Sequence, residues 1–196
     1  MWNSLVYTLI SIIPAFSHAV NLFLEVVPTH VFLTGAVQMG KSTVVDRVLA
    51  RTALVPGGFC TAFGPDRASP ERLLYLYPAA GPCRPEEGRV VARFTAGVPR
   101  PMPERFDRLG CAALEAPGAQ VLVMDECGRL EREALAFRAA VLALLDGDVP
   151  VLGVVREGLP GWTAAIAAHP AVRLVTVTKE NRDSLPERLS LWLSAK

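Results

Sequence analysis

No Cys-x-x-Cys pair occurs among the four cysteines, Cys60, Cys83, Cys111 and Cys127. Their scatter excludes the zinc sites and disulfide frameworks that paired cysteines announce, and it suits plain thiols in a reducing compartment. Histidine is equally sparse, and His18, His30 and His169 show no ligand spacing. Neither sign of charge is in excess. Lys and Arg number 20 against 19 Asp and Glu, for a formal net charge of +1, so no standing basic surface for nucleic acid is indicated. Disorder is excluded as well, because 51% of the 196 residues are hydrophobic and 20% charged, enough for one sizeable core.

The first 24 residues lack any charged side chain. Leu5, Leu9, Ile12, Phe16, Val20 and Phe23 recur there at helical intervals, which predicts an apolar N-terminal helical extension over residues 1–27. No Lys or Arg precedes the run, as a signal peptide requires. Ser11, Pro14, Ser17, His18 and Asn21 interrupt the stretch of about 20 apolar residues that a spanning helix needs. The segment is therefore expected to dock on the main domain, on a partner or on a second copy, and the chain is expected to be cytoplasmic.

From about residue 28 to 196, apolar strands alternate with amphipathic helices, the pattern of an α/β domain with a mainly parallel sheet flanked by helices. Strands are expected at His30–Thr34, Leu73–Tyr77, Val90–Phe94, Val121–Met124, Val151–Val155 and Val172–Val177. Helices are expected at Ser42–Ala50, at Trp162–Ala168, and over the run Leu130, Ala134, Phe137, Val141, Leu144, which Asp146-Gly147 ends. A closing helix spans Asp183–Leu193 with Asp183 as its cap. Between Pro56 and Pro103 glycine and proline blur the reading, and Pro99–Pro103 reads as a turn or loop.

The run Gly35-Ala36-Val37-Gln38-Met39-Gly40-Lys41-Ser42 fits G-x-x-x-x-G-K-[ST] and is followed by Thr43. Gly35 and Gly40 let the backbone turn so that successive N–H groups point at phosphate oxygens. The helix that begins beside them aims its positive end at the same place. Lys41 would reach the β- and γ-phosphates of a nucleoside triphosphate, and the Ser42 hydroxyl would ligate Mg²⁺. An ordinary glycine-bearing turn with a surface lysine explains less, because the match follows a strand and opens a helix.

Val121-Leu122-Val123-Met124 leads into Asp125 and Glu126. Ligands sit at the carboxyl ends of parallel strands, so Asp125 should face the phosphate loop and hold Mg²⁺, directly or through water. Glu126 would orient or deprotonate the attacking water. Arg129, Arg132, Arg156 and Arg182 are candidates for countering charge on the γ-phosphate. Thr178-Lys179-Glu180-Asn181 follows the last strand, where a Lys179 stem and the Asn181 amide could meet the base; an ordinary loop into a helix cap explains the same residues.

On these residues the chain resembles the small P-loop nucleoside-triphosphatases related to the cancer-related nucleoside-triphosphatase. The resemblance rests on Gly35–Thr43, Gly57-Gly58-Phe59-Cys60-Thr61, Asp125-Glu126-Cys127-Gly128-Arg129-Leu130-Glu131 and Val177-Thr178-Lys179-Glu180-Asn181-Arg182-Asp183. It implies a RecA-like core that hydrolyses ATP, GTP and other nucleoside triphosphates slowly, with a glutamate beside the metal aspartate activating water. Three features depart from the family pattern. Val37-Gln38 stands where the family has Pro-Gly, Phe63 and Pro65 stand where it has a glutamate and an arginine, and the apolar N-terminal extension is additional. Two other functions fit the loop: a small-molecule kinase, for which no arginine-rich lid is evident, and a nucleotide-gated switch with slow turnover.

Overall fold

The computed structural model describes residues 28–158 and 160–196. Eight strands form one sheet: β1 (His30–Thr34), β2 (Pro56–Phe63), β3 (Arg72–Pro78), β4 (Val90–Thr95), β5 (Val98–Pro101), β6 (Val121–Cys127), β7 (Val151–Val155) and β8 (Val172–Thr176). Five helices connect them: α1 (Lys41–Leu49), α2 (Pro103–Leu114), α3 (Leu135–Leu144), α4 (Trp162–Ala168) and α5 (Leu185–Ser194). The strand order is β5-β4-β3-β2-β6-β7-β1-β8. The ladders from β2 through β6, β7 and β1 to β8 are parallel. Those joining β2 to β3, β4 and β5 are antiparallel. The α/β architecture expected from the alternating pattern is present. The expected N-terminal helix lies outside the described residues.

Both faces of the sheet's centre are covered, which is why β1, β6 and β7 read as apolar runs rather than alternating ones. One face packs on α2, α3 and α4 through Phe32, Phe59, Met124, Phe106, Phe137, Trp162 and Ile166. The other packs on α1 and α5 through Leu33, Val44, Val48, Val123, Val154, Leu185 and Leu189. His30 is fully buried in β1, with Nε2 bonded to the Leu145 carbonyl at 3.1 Å and Nδ1 accepting the Val151 N–H at 3.2 Å. Its role is structural.

Several boundaries differ from the sequence expectations. Val98–Pro101 is an edge strand and Pro103 opens α2, where a loop was expected. Proline is tolerated at both places because an edge strand and a first helical turn leave N–H groups unpaired anyway. The helix expected from Leu130 starts at Leu135, since residues 129–134 are held in tight turns closed by Arg132 N–H to Arg129 O and Ala134 N–H to Glu131 O. Ser184, not Asp183, precedes the closing helix; Asp183 instead lies 3.4 Å from Arg47 of α1. β6 continues through both acids to Cys127.

Candidate nucleotide site

Strand β1 ends at Thr34 and the chain turns at once, with Gly35 at φ 117°. A Cβ on Gly35 would lie 2.7 Å from the Val177 carbonyl oxygen, so both conformation and space demand glycine there. Gly40, at φ 97°, precedes α1 and supplies no side-chain cap, which leaves the first-turn N–H groups to the cleft. Gln38 also holds a left-handed φ, 62°. This is the position where the resembling family carries glycine, and a non-glycine residue there costs about 1–2 kcal/mol.

A cleft of about 730 Å³ opens over the loop, lined by the whole run Gly35–Thr43 and by Phe63, Arg67, Glu126, Arg156 and Glu157. That volume suits a nucleotide-sized ligand. Lys41, expected to reach the phosphates, is drawn into the loop itself. It is buried, and its Nζ donates to the Gly35 and Ala36 carbonyls at 2.8 Å each. A long cation in a loop of inward N–H groups and outward carbonyls finds its nearest acceptors in the loop itself.

Asp125 is buried at 7% exposure and hydrogen-bonds the Ser42 side chain. Burial pushes its carboxyl up to about 6, against the Ser42 bond, which pulls down. A buried carboxylate beside a hydroxyl is a hard, oxygen-only donor pair, and a small divalent cation would offset the cost of its charge. The residues therefore fit Mg²⁺, which P-loop sites hold with few protein ligands and several waters. Among the described residues no cluster of three or more His, Cys, Asp or Glu forms a separate metal cage.

Glu126 lines the cleft, 3.7 Å from the Arg156 guanidinium across partly exposed surface. The backbone around the two acids is bridged by a side chain of β2. Thr61 Oγ1 donates to the Asp125 carbonyl at 3.3 Å and accepts the Glu126 N–H at 3.4 Å. Beyond them, the Gly128 N–H donates to Glu131 Oε2 at 2.8 Å, and its carbonyl accepts the Trp162 indole N–H at 2.9 Å. Glu131 is 3% exposed, and burial raises its carboxyl to about 7.

The structure thus brings together the loop residues, Asp125, Glu126 and one of the four candidate arginines, Arg156. Arg129, Arg132 and Arg182 are exposed and are not among the residues lining the cleft. Lys179 and Asn181 are not among them either. Asn181 Oδ1 accepts the Thr178 N–H at 2.9 Å and its Nδ2 donates to the Thr176 carbonyl at 2.8 Å, so the amide shapes its own loop. Lys179 is exposed. Sequence reasoning missed Arg67 and Glu157. Arg67 sits in a turn region without a motif, and Glu157 reaches the cleft only because it follows Arg156 at the end of β7.

With this geometry in place, comparison with known proteins is decisive at the family level. A family model described as NTPase matches residues 30–190. The chain belongs to the NTPase family. It is 27% identical over 175 residues to the nucleoside-triphosphatase THEP1 of Methanosarcina barkeri, covering 81% of this chain and 93% of that protein. A shorter match, 40% over 91 residues, joins it to the protein of the same name from Thermofilum pendens and spans 50% of that relative. The NTPase fold is seen in THEP1 from Aquifex aeolicus, with a TM-score of 0.67 at 22% identity over 82% of this chain and 96% of that one. The human cancer-related nucleoside triphosphatase superposes with a TM-score of 0.63 at 26% identity, covering 85% and 98%. The family suspected from the four sequence stretches is the family found.

Proposed function

We propose that this chain hydrolyses nucleoside triphosphates to nucleoside diphosphate and phosphate with Mg²⁺, in the cytoplasm and with little regard for the base. One observation carries the reading: the buried Asp125 carboxylate is bonded to Ser42 at the mouth of the glycine loop, with Glu126 in the same cleft. The name nucleoside-triphosphatase borne by its relatives agrees with it.

The loop N–H groups and the start of α1 take the β- and γ-phosphates. Lys41 Nζ leaves the Gly35 and Ala36 carbonyls and donates to phosphate oxygens instead, an exchange of one acceptor set for another. Ser42 and Asp125 would hold Mg²⁺, which when bound would supply positive charge to stabilise negative charge developing on the phosphates. Glu126 orients a water and accepts its proton as the oxygen attacks the γ-phosphorus, and the bond to the β–γ oxygen breaks. Arg156, on the same side of the cleft, offsets negative charge near that water. Broad base tolerance follows from a cleft whose lining is dominated by the phosphate loop, with the Asn181 amide engaged in its own turn.

The test is phosphate release from ATP, GTP, CTP and UTP by purified protein, with and without Mg²⁺. Turnover of all four that vanishes on chelation is expected. Tight nucleotide binding with no phosphate release would overturn hydrolysis, and strong preference for one base would overturn the breadth.

A further inference from the structure

Two thiols near the strand that carries the two acids are not used by the chemistry above. Cys60 is half-buried in β2, where its register partner in the parallel ladder is Asp125. Cys83 is exposed in the segment between β3 and β4, over residues 79–86, which belong to no helix or strand. Although 23 positions apart, the two sulfurs lie 3.8 Å from each other. A disulfide needs about 2.05 Å. Most of the remaining closure of about 1.8 Å falls to a segment with no ladder to break, and a few tenths of an ångström fall to Cys60 in β2.

We propose that Cys60 and Cys83 form a reversible dithiol–disulfide pair, oxidised by hydroperoxides, that lowers the turnover of the neighbouring site. The control of turnover rests on the hydrolase reading; the pair itself does not. The exposed Cys83 reacts first. Its thiolate attacks one oxygen of hydrogen peroxide, the O–O bond breaks, hydroxide leaves, and Cys83 becomes a sulfenic acid. The Cys60 sulfur then attacks the Cys83 sulfur, the S–O bond breaks, and the departing hydroxide takes the Cys60 proton as water. Two thiols lose two electrons and two protons, and one peroxide becomes two waters.

The consequence for the site follows from β2. Drawing Cys60 toward the 79–86 segment moves the residue next to Thr61, whose hydroxyl bonds the Asp125 carbonyl and the Glu126 N–H at 3.3 and 3.4 Å. Bonds that long are lost with a few tenths of an ångström of displacement. The backbone that sets both acids then loosens.

The test uses the full chain, reduced and then exposed to hydrogen peroxide, with non-reducing peptide mapping beside phosphate release. A cross-linked peptide joining Cys60 to Cys83, short of two hydrogens, is expected to appear as turnover falls roughly fivefold or more, about what one lost hydrogen bond at the site is worth. Dithiothreitol should reverse both. Cys83→Ser should match the reduced wild type and keep its turnover under the same peroxide. Cys83 oxidised to sulfinic acid without a cross-link overturns the pair, and a cross-link with unchanged turnover overturns the control. Reduced wild type that releases no phosphate defeats the hydrolase reading and the control with it, while the peptide map still decides the disulfide.

Discussion

The Lys41 ammonium, bound to the Gly35 and Ala36 carbonyls, contributes to the loop's shape as well as to any ligand. Removing it leaves two carbonyls beside an open cleft where water can reach them, so Lys41→Ala should stay folded. Its affinity for a fluorescent nucleoside triphosphate should fall at least roughly a hundredfold, the loss of a charge-assisted phosphate contact being worth about 2–3 kcal/mol. An unchanged affinity in soluble protein would remove Lys41 from the phosphate site. The two acids should separate in the same assay. Asp125→Asn loses an anionic ligand, and Mg²⁺-dependent binding should weaken roughly tenfold or more. Glu126→Gln should bind normally and hydrolyse on the order of 10²-fold more slowly, the range for a positioned base. A fully active Glu126→Gln enzyme would move the base elsewhere. At this scale the sequence was legible wherever a residue's chemistry and its spacing coincide, as in Gly35–Ser42 and Asp125–Glu126. It leaves Asn181 open between two roles, because a side-chain amide satisfies a turn as readily as a base edge, and here it bonds the Thr178 N–H and the Thr176 carbonyl.

Elements were legible in the same uneven way. β1, β6 and β7 are buried on both faces, so their apolar runs stand out. β2 was hidden because Pro56, Gly57 and Gly58 resemble a loop, yet a Cβ on Gly57 would meet the Ala116 Cβ at 2.4 Å. The strand carries glycine there for want of space, a cause that lies 59 residues along the chain, at Ala116. Helix α2 was hidden by Pro103 at its start and Gly110 in its body. Gly110 faces Phe137 of α3, whose ring atoms would stand 2.3 and 2.5 Å from an added Cβ. Phe137 is fully buried and wedged among Phe59, Phe106 and Trp162, so it cannot yield. Gly110→Ala gains about 1 kcal/mol of helix propensity and loses about 1–3 kcal/mol to overpacking. Packing should win, and thermal melting should show a variant destabilised by up to about 2 kcal/mol. A variant more stable than the parent would mean that α2 and α3 can slide apart.

Across the whole molecule the two buried carboxyls give folding a pH dependence opposite to that of a protein stabilised by paired acids. Glu131 holds its proton to about 7 in the fold against an ordinary 4.5, and Asp125 to about 6 against 3.8, both chiefly through burial. In each case the folded chain binds protons more tightly than the unfolded one. The associated stability is complete below the ordinary value and is lost as pH rises through the folded one. Asp125 is half ionised near pH 6 and almost wholly so by about pH 7, and His30, whose buried ring favours the neutral form, opposes the slope only around and below its ordinary 6.5. Between about pH 7 and 8 the fall in melting temperature therefore belongs chiefly to Glu131. Glu131→Gln keeps an oxygen to accept the Gly128 N–H and carries no proton to lose. It should melt several degrees above the parent at about pH 8, at roughly 2–4 °C per kcal/mol, and the two curves should converge toward about pH 5. Saturating Mg²⁺ and a non-hydrolysable nucleoside triphosphate should raise both proteins while leaving this difference in place, since Glu131 lies beneath the strand end and not among the cleft-lining residues. A Glu131→Gln variant that keeps the full slope would assign the pH dependence to another group.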